Sequence, residues 1–138
     1  PGVPETLGRL REAGCRMAVV TNKLQSGADG VLEGLGLRGF FELVLGGDSP
    51  HGLKPAAGPF LHALKVLGAG PAEALMVGDG KPDIQGARAA GLPVCAVLFG
   101  IGEPAMLKDL LPDYQIERFG ELEDLVLGAR KGKVEPGR

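Results

Sequence analysis

The 138-residue chain is long enough for one domain with a substantial core, and 44% hydrophobic with 23% charged residues is an ordinary globular balance. A net charge of −2 without a basic cluster argues against nucleic acid or an anionic membrane as a partner, and no apolar run reaches the roughly 20 residues needed to span a bilayer. Cys15 and Cys95 each fall at or inside a predicted strand. Buried thiols in a reducing, cytoplasmic setting are therefore expected, not a disulfide.

Along the chain, the pattern alternates helix and strand. After Pro1-Gly2-Val3, an amphipathic helix is predicted over 4–13, with Leu7 and Leu10 inward and Gly14 closing it. A buried strand follows at 15–20, then the polar turn Thr21-Asn22-Lys23 and a second helix over 25–35, ended by Gly36. A strand at 41–45 leads into the loop 46–55, which carries His51 and Lys54. A third helix covers 59–67, a buried strand 74–77, and a helix 82–90 begins at Pro82, well placed in a first turn where its missing N–H costs nothing. A strand at 93–98, a short helix at 106–111, a small edge strand at 114–116 and a last helix at 120–127 complete the pattern. Residues 1–130 read as one unit and 131–138 as a charged tail. Strands alternating with helices imply a parallel sheet with right-handed crossovers and helices on both faces, an α/β three-layer sandwich of Rossmann-like type.

In such a sheet, ligands bind at the carboxyl ends of the strands. Three polar clusters fall there: Thr21 with Asn22, Lys54, and the acidic turn holding Asp79 and Asp83. Two carboxylates four residues apart suit a hard cation such as Mg²⁺, which prefers oxygen ligands. Asp79-Gly80 is equally a turn signal, Asp83 a helix-start residue, and Thr21 an ordinary turn hydroxyl. Convergence favours the chemical reading. A hydroxyl, a side-chain amide, helix-start N–H groups and one ammonium form a phosphate cradle. Carboxylates beside it would hold a metal that neutralises the remaining charge.

Val19-Val20-Thr21-Asn22-Lys23, then Lys54-Pro55, then Val77-Gly78-Asp79-Gly80-Lys81-Pro82-Asp83 with Ala87 and Ala89-Ala90-Gly91, closely resemble the second to fourth motifs of the haloacid-dehalogenase-like hydrolases, in order and spacing. The opening Pro1-Gly2-Val3 is similar to the point where, in the phosphoglycolate-phosphatase-like branch, the chain re-enters the core after an inserted cap. Residues 113–127 are similar to that branch's closing segment. The resemblance implies a Mg²⁺-dependent phosphatase for a small organic phosphomonoester, phosphoglycolate-like. It implies that Thr21 and Asn22 bind the phosphoryl group and Lys54 neutralises its charge. Asp79 would bind Mg²⁺, and Asp83 would bind the metal's waters or orient Lys54. Gly80 stands where the family often has Ser.

One motif of the family is missing. No Asp-x-Asp occurs in the chain, whereas in the family that pair supplies the nucleophile of an aspartyl-phosphate and the general acid/base. Its strand lies mid-sheet, between the strands predicted here at 15–20 and 74–77. Without it, two strand edges face each other across a one-strand gap, roughly 4.8 Å each way. Unpaired buried backbone groups there cost about 1–3 kcal/mol each. The sequence therefore reads as the C-terminal part of a longer protein, inactive alone. Otherwise direct pairing, a partner subunit or a second copy of the chain closes the sheet. A non-catalytic phosphate- or Mg²⁺-binding module is the rival reading. A receiver-like signalling domain is disfavoured, since no early Asp ends the first strand.

Other matches carry less. Gly34-Leu35-Gly36-Leu37-Arg38-Gly39 fits a dinucleotide fingerprint in letters, but it follows a helix instead of a strand. His51 reads as a surface-loop residue with a lesser chance of touching substrate, and His62 as structural or exposed.

Overall fold

The computed structural model describes residues 2–78, 80–97 and 112–131, of which 128–131 are described by backbone alone. The predicted helix at 106–111 and Asp79 lie outside the described residues. Among the described residues there are five short strands: β1 (Ala18–Val20), β2 (Leu43–Leu45), β3 (Met76–Gly78), β4 (Val94–Val97) and β5 (Tyr114–Ile116). The helices are α1 (Val3–Glu12), α2 (Gln25–Gly34), α3 (Gly58–Leu67), α4 (Lys81–Ala89) and α5 (Glu121–Lys131). Two 3₁₀ turns, Arg38–Phe40 and Pro71–Glu73, were not anticipated. The first strand is shorter than the predicted 15–20, and the last helix runs on to Lys131, beyond the predicted 127.

All pairings are parallel. β1 pairs with β2 in the register Val19↔Val44, and β3–β4–β5 form a second group through Val77↔Cys95 and Ala96↔Gln115. Among the described residues no ladder joins β1 to β3. Direct pairing across the gap, the alternative to a missing strand, is therefore not made among these residues. Burial agrees with an interrupted sheet. All four residues of β4 are buried, as expected for a central parallel strand covered on both faces, while β1 is half-buried throughout.

Side chains of β4 alternate between two cores, because strand side chains point to opposite faces in turn. Val94 and Ala96 join Phe60 and Leu64 of α3 with Ile84 and Ala87 of α4. Cys95 and Val97 join Leu10 of α1, Ile116 of β5 and Leu122 of α5. Val20 of β1 and Met76 of β3 both pack against the first core, so α3 is one of the pieces that tie the two strand groups together. α3 and α4 touch at Gly86, where a Cβ would run into the ring of Phe60. This close approach explains a glycine inside a helix. α3 stops at Gly68, which takes the left-handed conformation (φ 68°) that glycine adopts without strain.

At the amino ends of β1 and β2, Arg16 donates from Nε and Nη2 to both carboxylate oxygens of Glu42 (2.7 and 2.8 Å) and from Nη1 to the carbonyl of Leu67 (2.6 Å). The hydrogen bonds from Arg16, more than its charge, hold the Glu42 carboxyl below the usual carboxylate range. The same contact raises the guanidinium's proton affinity. One arginine thus fixes two strands and the end of α3. No helix among the described residues is long and apolar enough to cross a membrane.

Candidate active site

The carboxyl ends of β1, β2 and β3 lead into three loops that meet. Lys54 is the centre of the meeting. Its ammonium donates to the carbonyl of Val20 at the end of β1 (3.0 Å) and to Oδ1 of Asp83 in the first turn of α4. Both side chains of that ion pair are only 12% exposed, so water screens it weakly. Asp83 also sits in the first turn of α4, where the helix dipole favours a negative charge.

The backbone of Lys54 is held as firmly as its tip. Asn22 uses both ends of its amide on it: Nδ2 donates to the Lys54 carbonyl (3.1 Å), and Oδ1 accepts from the Lys54 N–H (2.8 Å). The Lys54–Pro55 peptide that follows is cis. Thr21 continues the β1 ladder by donating its N–H to the carbonyl of Leu45 (3.0 Å), and its Oγ1 accepts from the N–H of Lys23 (3.1 Å). That is the turn role the residue type allows, and it leaves the hydroxyl hydrogen available to a ligand.

Glycines make the convergence sterically possible. A Cβ on Gly78 would lie 2.5 Å from Cβ of Asp83 and 2.7 Å from its Oδ2. A Cβ on Gly47 would collide with the carbonyl of Asn22. At Gly80 a Cβ would meet Oδ2 of Asp83 at 3.8 Å, an ordinary contact, so no close approach requires glycine there. The spacing of the motifs does not reveal these approaches, because a glycine at a strand end also reads as an ordinary turn residue.

Of the residues expected at the site, Thr21, Asn22, Lys54 and Asp83 therefore come from one strand-end edge, and Lys54 touches Asn22 and Asp83 directly. Asp79 lies outside the described residues. One expectation changes in kind. The Asn22 side chain spends its acceptor and one donor on Lys54, so it builds the site chiefly by placing the lysine. His51 was expected as a loop histidine and His62 as structural or exposed. Their rings stack, with centroids 3.7 Å apart and planes 11° from parallel. Nothing in their spacing foretold this pairing, which joins a loop to a helix.

As for cation binding, no group of three His, Cys, Asp or Glu able to hold a metal occurs among the described residues. The donor chemistry fits Mg²⁺ more modestly. One oxygen of Asp83 faces the lysine and the other lies beside Gly78, where a Cβ would crowd it. Mg²⁺ needs only one or two carboxylates when phosphate and water complete its shell.

Residues 1–97 match the family model of the haloacid dehalogenase-like hydrolases. A phosphoglycolate phosphatase of Aquifex aeolicus is 36% identical over 126 residues, 91% of this chain and 58% of that protein. One of Thiobacillus denitrificans is 44% identical over 111 residues, 79% of this chain and 49% of that one. The crystal structure of a protein from Haemophilus somnus, described as a predicted phosphoglycolate phosphatase, superimposes with a TM-score of 0.85 at 32% identity, covering 91% of this chain and 56% of that one. The chain thus spans about half the length of the relatives it matches. On its motifs, its matched span and its fold, the chain belongs to the haloacid dehalogenase-like hydrolases, and within them it is similar to phosphoglycolate phosphatases.

Proposed function

We propose that this chain supplies the phosphate- and metal-binding half of a Mg²⁺-dependent phosphatase acting on a small organic phosphomonoester, phosphoglycolate being the first candidate. The observation that carries the proposal is Lys54. Its ammonium reaches from the Val20 carbonyl at the open side of β1 to Asp83 beyond β3, across the mouth of the unjoined sheet. A strand lying in that gap would end at this ammonium. In our reading the strand carries the Asp-x-Asp pair that the chain lacks. Its first carboxylate attacks phosphorus and breaks the ester P–O bond, the departing alcohol taking a proton from the second carboxyl group, and water then hydrolyses the aspartyl-phosphate to inorganic phosphate. Lys54 offsets the negative charge of nucleophile and phosphoryl group together. The Thr21 hydroxyl donates to a phosphoryl oxygen, and Asn22 keeps Lys54 in place with one N–H to spare. Asp79 and Asp83 would hold the Mg²⁺, directly or through its waters, and the bound ion would supply charge neutralisation at the phosphoryl oxygens. Asp83, paired with Lys54, also aims the ammonium.

The partners proposed are a phosphorylated metabolite and the segment or second copy that completes the sheet, with a cytoplasmic setting. The chain alone, freed of longer protein, should not turn over p-nitrophenyl phosphate with Mg²⁺. Turnover would refute the need for a nucleophile from outside it. A non-catalytic binding module is the competing reading, favoured by the missing nucleophile. It gains if a protein restored with an Asp-x-Asp strand binds Mg²⁺ and a phosphate analogue without turnover.

A further inference from the structure

The loop from β2 to α3 covers twelve residues, 46 to 57, and must deliver Lys54 to one point. Its two ends are tied to the β1–α2 connection. Near its start the Gly46 N–H goes to Oε1 of Gln25, the Gly47 N–H to the carbonyl of Lys23, and Asp48 Oδ1 accepts from the Gln25 N–H, each at 2.8 Å. Near its end, Lys54 is gripped by Asn22. The stretch between turns through Gly52 at φ 97° and exposes Leu53, so it has little core to settle on. His51 is where that stretch meets the body of the protein. Its carbonyl packs so closely on the first residue of α3 that a Cβ on Gly58 would overlap it. Its ring lies flat on that of His62, one turn further along α3.

We propose that His51 and His62 form a positioning clamp for Lys54. The stacked rings fix the middle of the loop to α3, and so restrict where the lysine three residues later can place its ammonium. The parallel planes argue against a shared metal ion, because a metal ligated by both rings would have to lie in both planes at once. Flat aromatic contact is left as the pair's contribution. The clamp bears on catalysis only if Lys54 is the phosphoryl-neutralising group proposed above.

Lysine acetylation measures it without needing turnover. A pulse of N-hydroxysuccinimidyl acetate on the intact chain, read by mass spectrometry, compares Lys54 with the exposed Lys65 and Lys81. His51→Ala should speed Lys54 acetylation about fivefold, the value of a stacked pair expressed as an equilibrium factor. Lys65 should keep its rate, and His51→Phe, which retains a flat ring, should stay within about twofold of the native chain. His62→Ala removes the same stack from the helix side and should match His51→Ala, which keeps the test open should either variant fold poorly. A native Lys54 rate in both alanine variants, an equal rise at Lys65, or a phenylalanine variant as fast as alanine overturns the clamp. Protection of Lys54 by Mg²⁺ with inorganic phosphate is read separately. Its absence counts against the phosphatase reading and leaves the clamp to be judged by the variants.

Discussion

Lys54 and Asp83 illustrate how one buried contact sets both stability and chemistry. Each charge is mostly removed from water, and each is compensated chiefly by the other. Replacing Lys54 by Met would leave a carboxylate in low dielectric without its cation, at a cost of roughly 2–4 kcal/mol. Asp83→Asn, which keeps an acceptor facing the ammonium, should cost less. Urea denaturation of the two variants checks the order, and native stability in Lys54→Met would show the pair to be idle. Cys95 is a second residue whose surroundings decide its behaviour. Burial first, and the charge of Glu121 second, push its thiol up to about 12. It should therefore resist iodoacetamide at pH 8 in the native state, while the half-buried Cys15 reacts. The native value lies above the unfolded one of about 8.5, so the native state favours the protonated thiol. Its contribution to stability is whole below pH 8.5 and drains away as the pH climbs toward 12. A Cys95→Ala chain should lose that part of the alkaline slope in a stability–pH profile.

Glycine has opposite meanings in different elements here. In α4, Gly86 lets the ring of Phe60 lie against the helix backbone. Gly86→Ala should destabilise the fold by about 1–3 kcal/mol, since the ring has a packed core behind it and nowhere to go. In α2, a Cβ on Gly30 meets nothing within 4 Å. Gly30→Ala should stabilise by roughly 0.5–1 kcal/mol, through helix propensity and the entropy of the unfolded chain. Thermal melts of the pair test this, and equal shifts of the same sign would contradict the packing described. The expected amphipathic helices follow directly from their apolar spacing. α1 buries Leu7 and Leu10, α3 buries Phe60 and Leu64, and α4 buries Ile84 and Ala87. The first strand is shorter than its apolar letters suggested. Cys15 and Met17 pack against the second core outside the strand itself, because hydrophobic pattern reports burial more than strand bounds, and Met17 keeps one pairing contact, its carbonyl accepting from the Glu42 N–H (2.9 Å).

For the molecule as a whole, the unjoined strands matter most. In a parallel ladder successive backbone groups point to alternate sides. Met76 gives its N–H to the Pro93 carbonyl, so the N–H of Val77 faces away from β4. Thr21 gives its N–H to Leu45, so the N–H of Val20 faces away from β2. These two amides should exchange with solvent deuterium much faster than those of Cys95 and Ala96, which lie in the buried strand between β3 and β5. Hydrogen exchange followed by NMR checks this. Equal protection would mean that something occupies the gap in solution, and its dependence on concentration would show whether a second copy does so.

What the sequence determined by itself was the alternation of elements, the parallel α/β class, the family, and the strand-end placement of Thr21, Asn22, Lys54 and Asp83. These follow from local periodicity, from turn chemistry, and from motif order along one chain. The absence of Asp-x-Asp was legible too, and with it the expectation of a break beside β1. The tertiary structure alone decided how the residues act on one another. Asn22 braces the lysine, Gly78 clears the way for Asp83, and His51 lies on His62. Each of these depends on distances between segments far apart in the chain, and neither periodicity nor motif spacing carries that information.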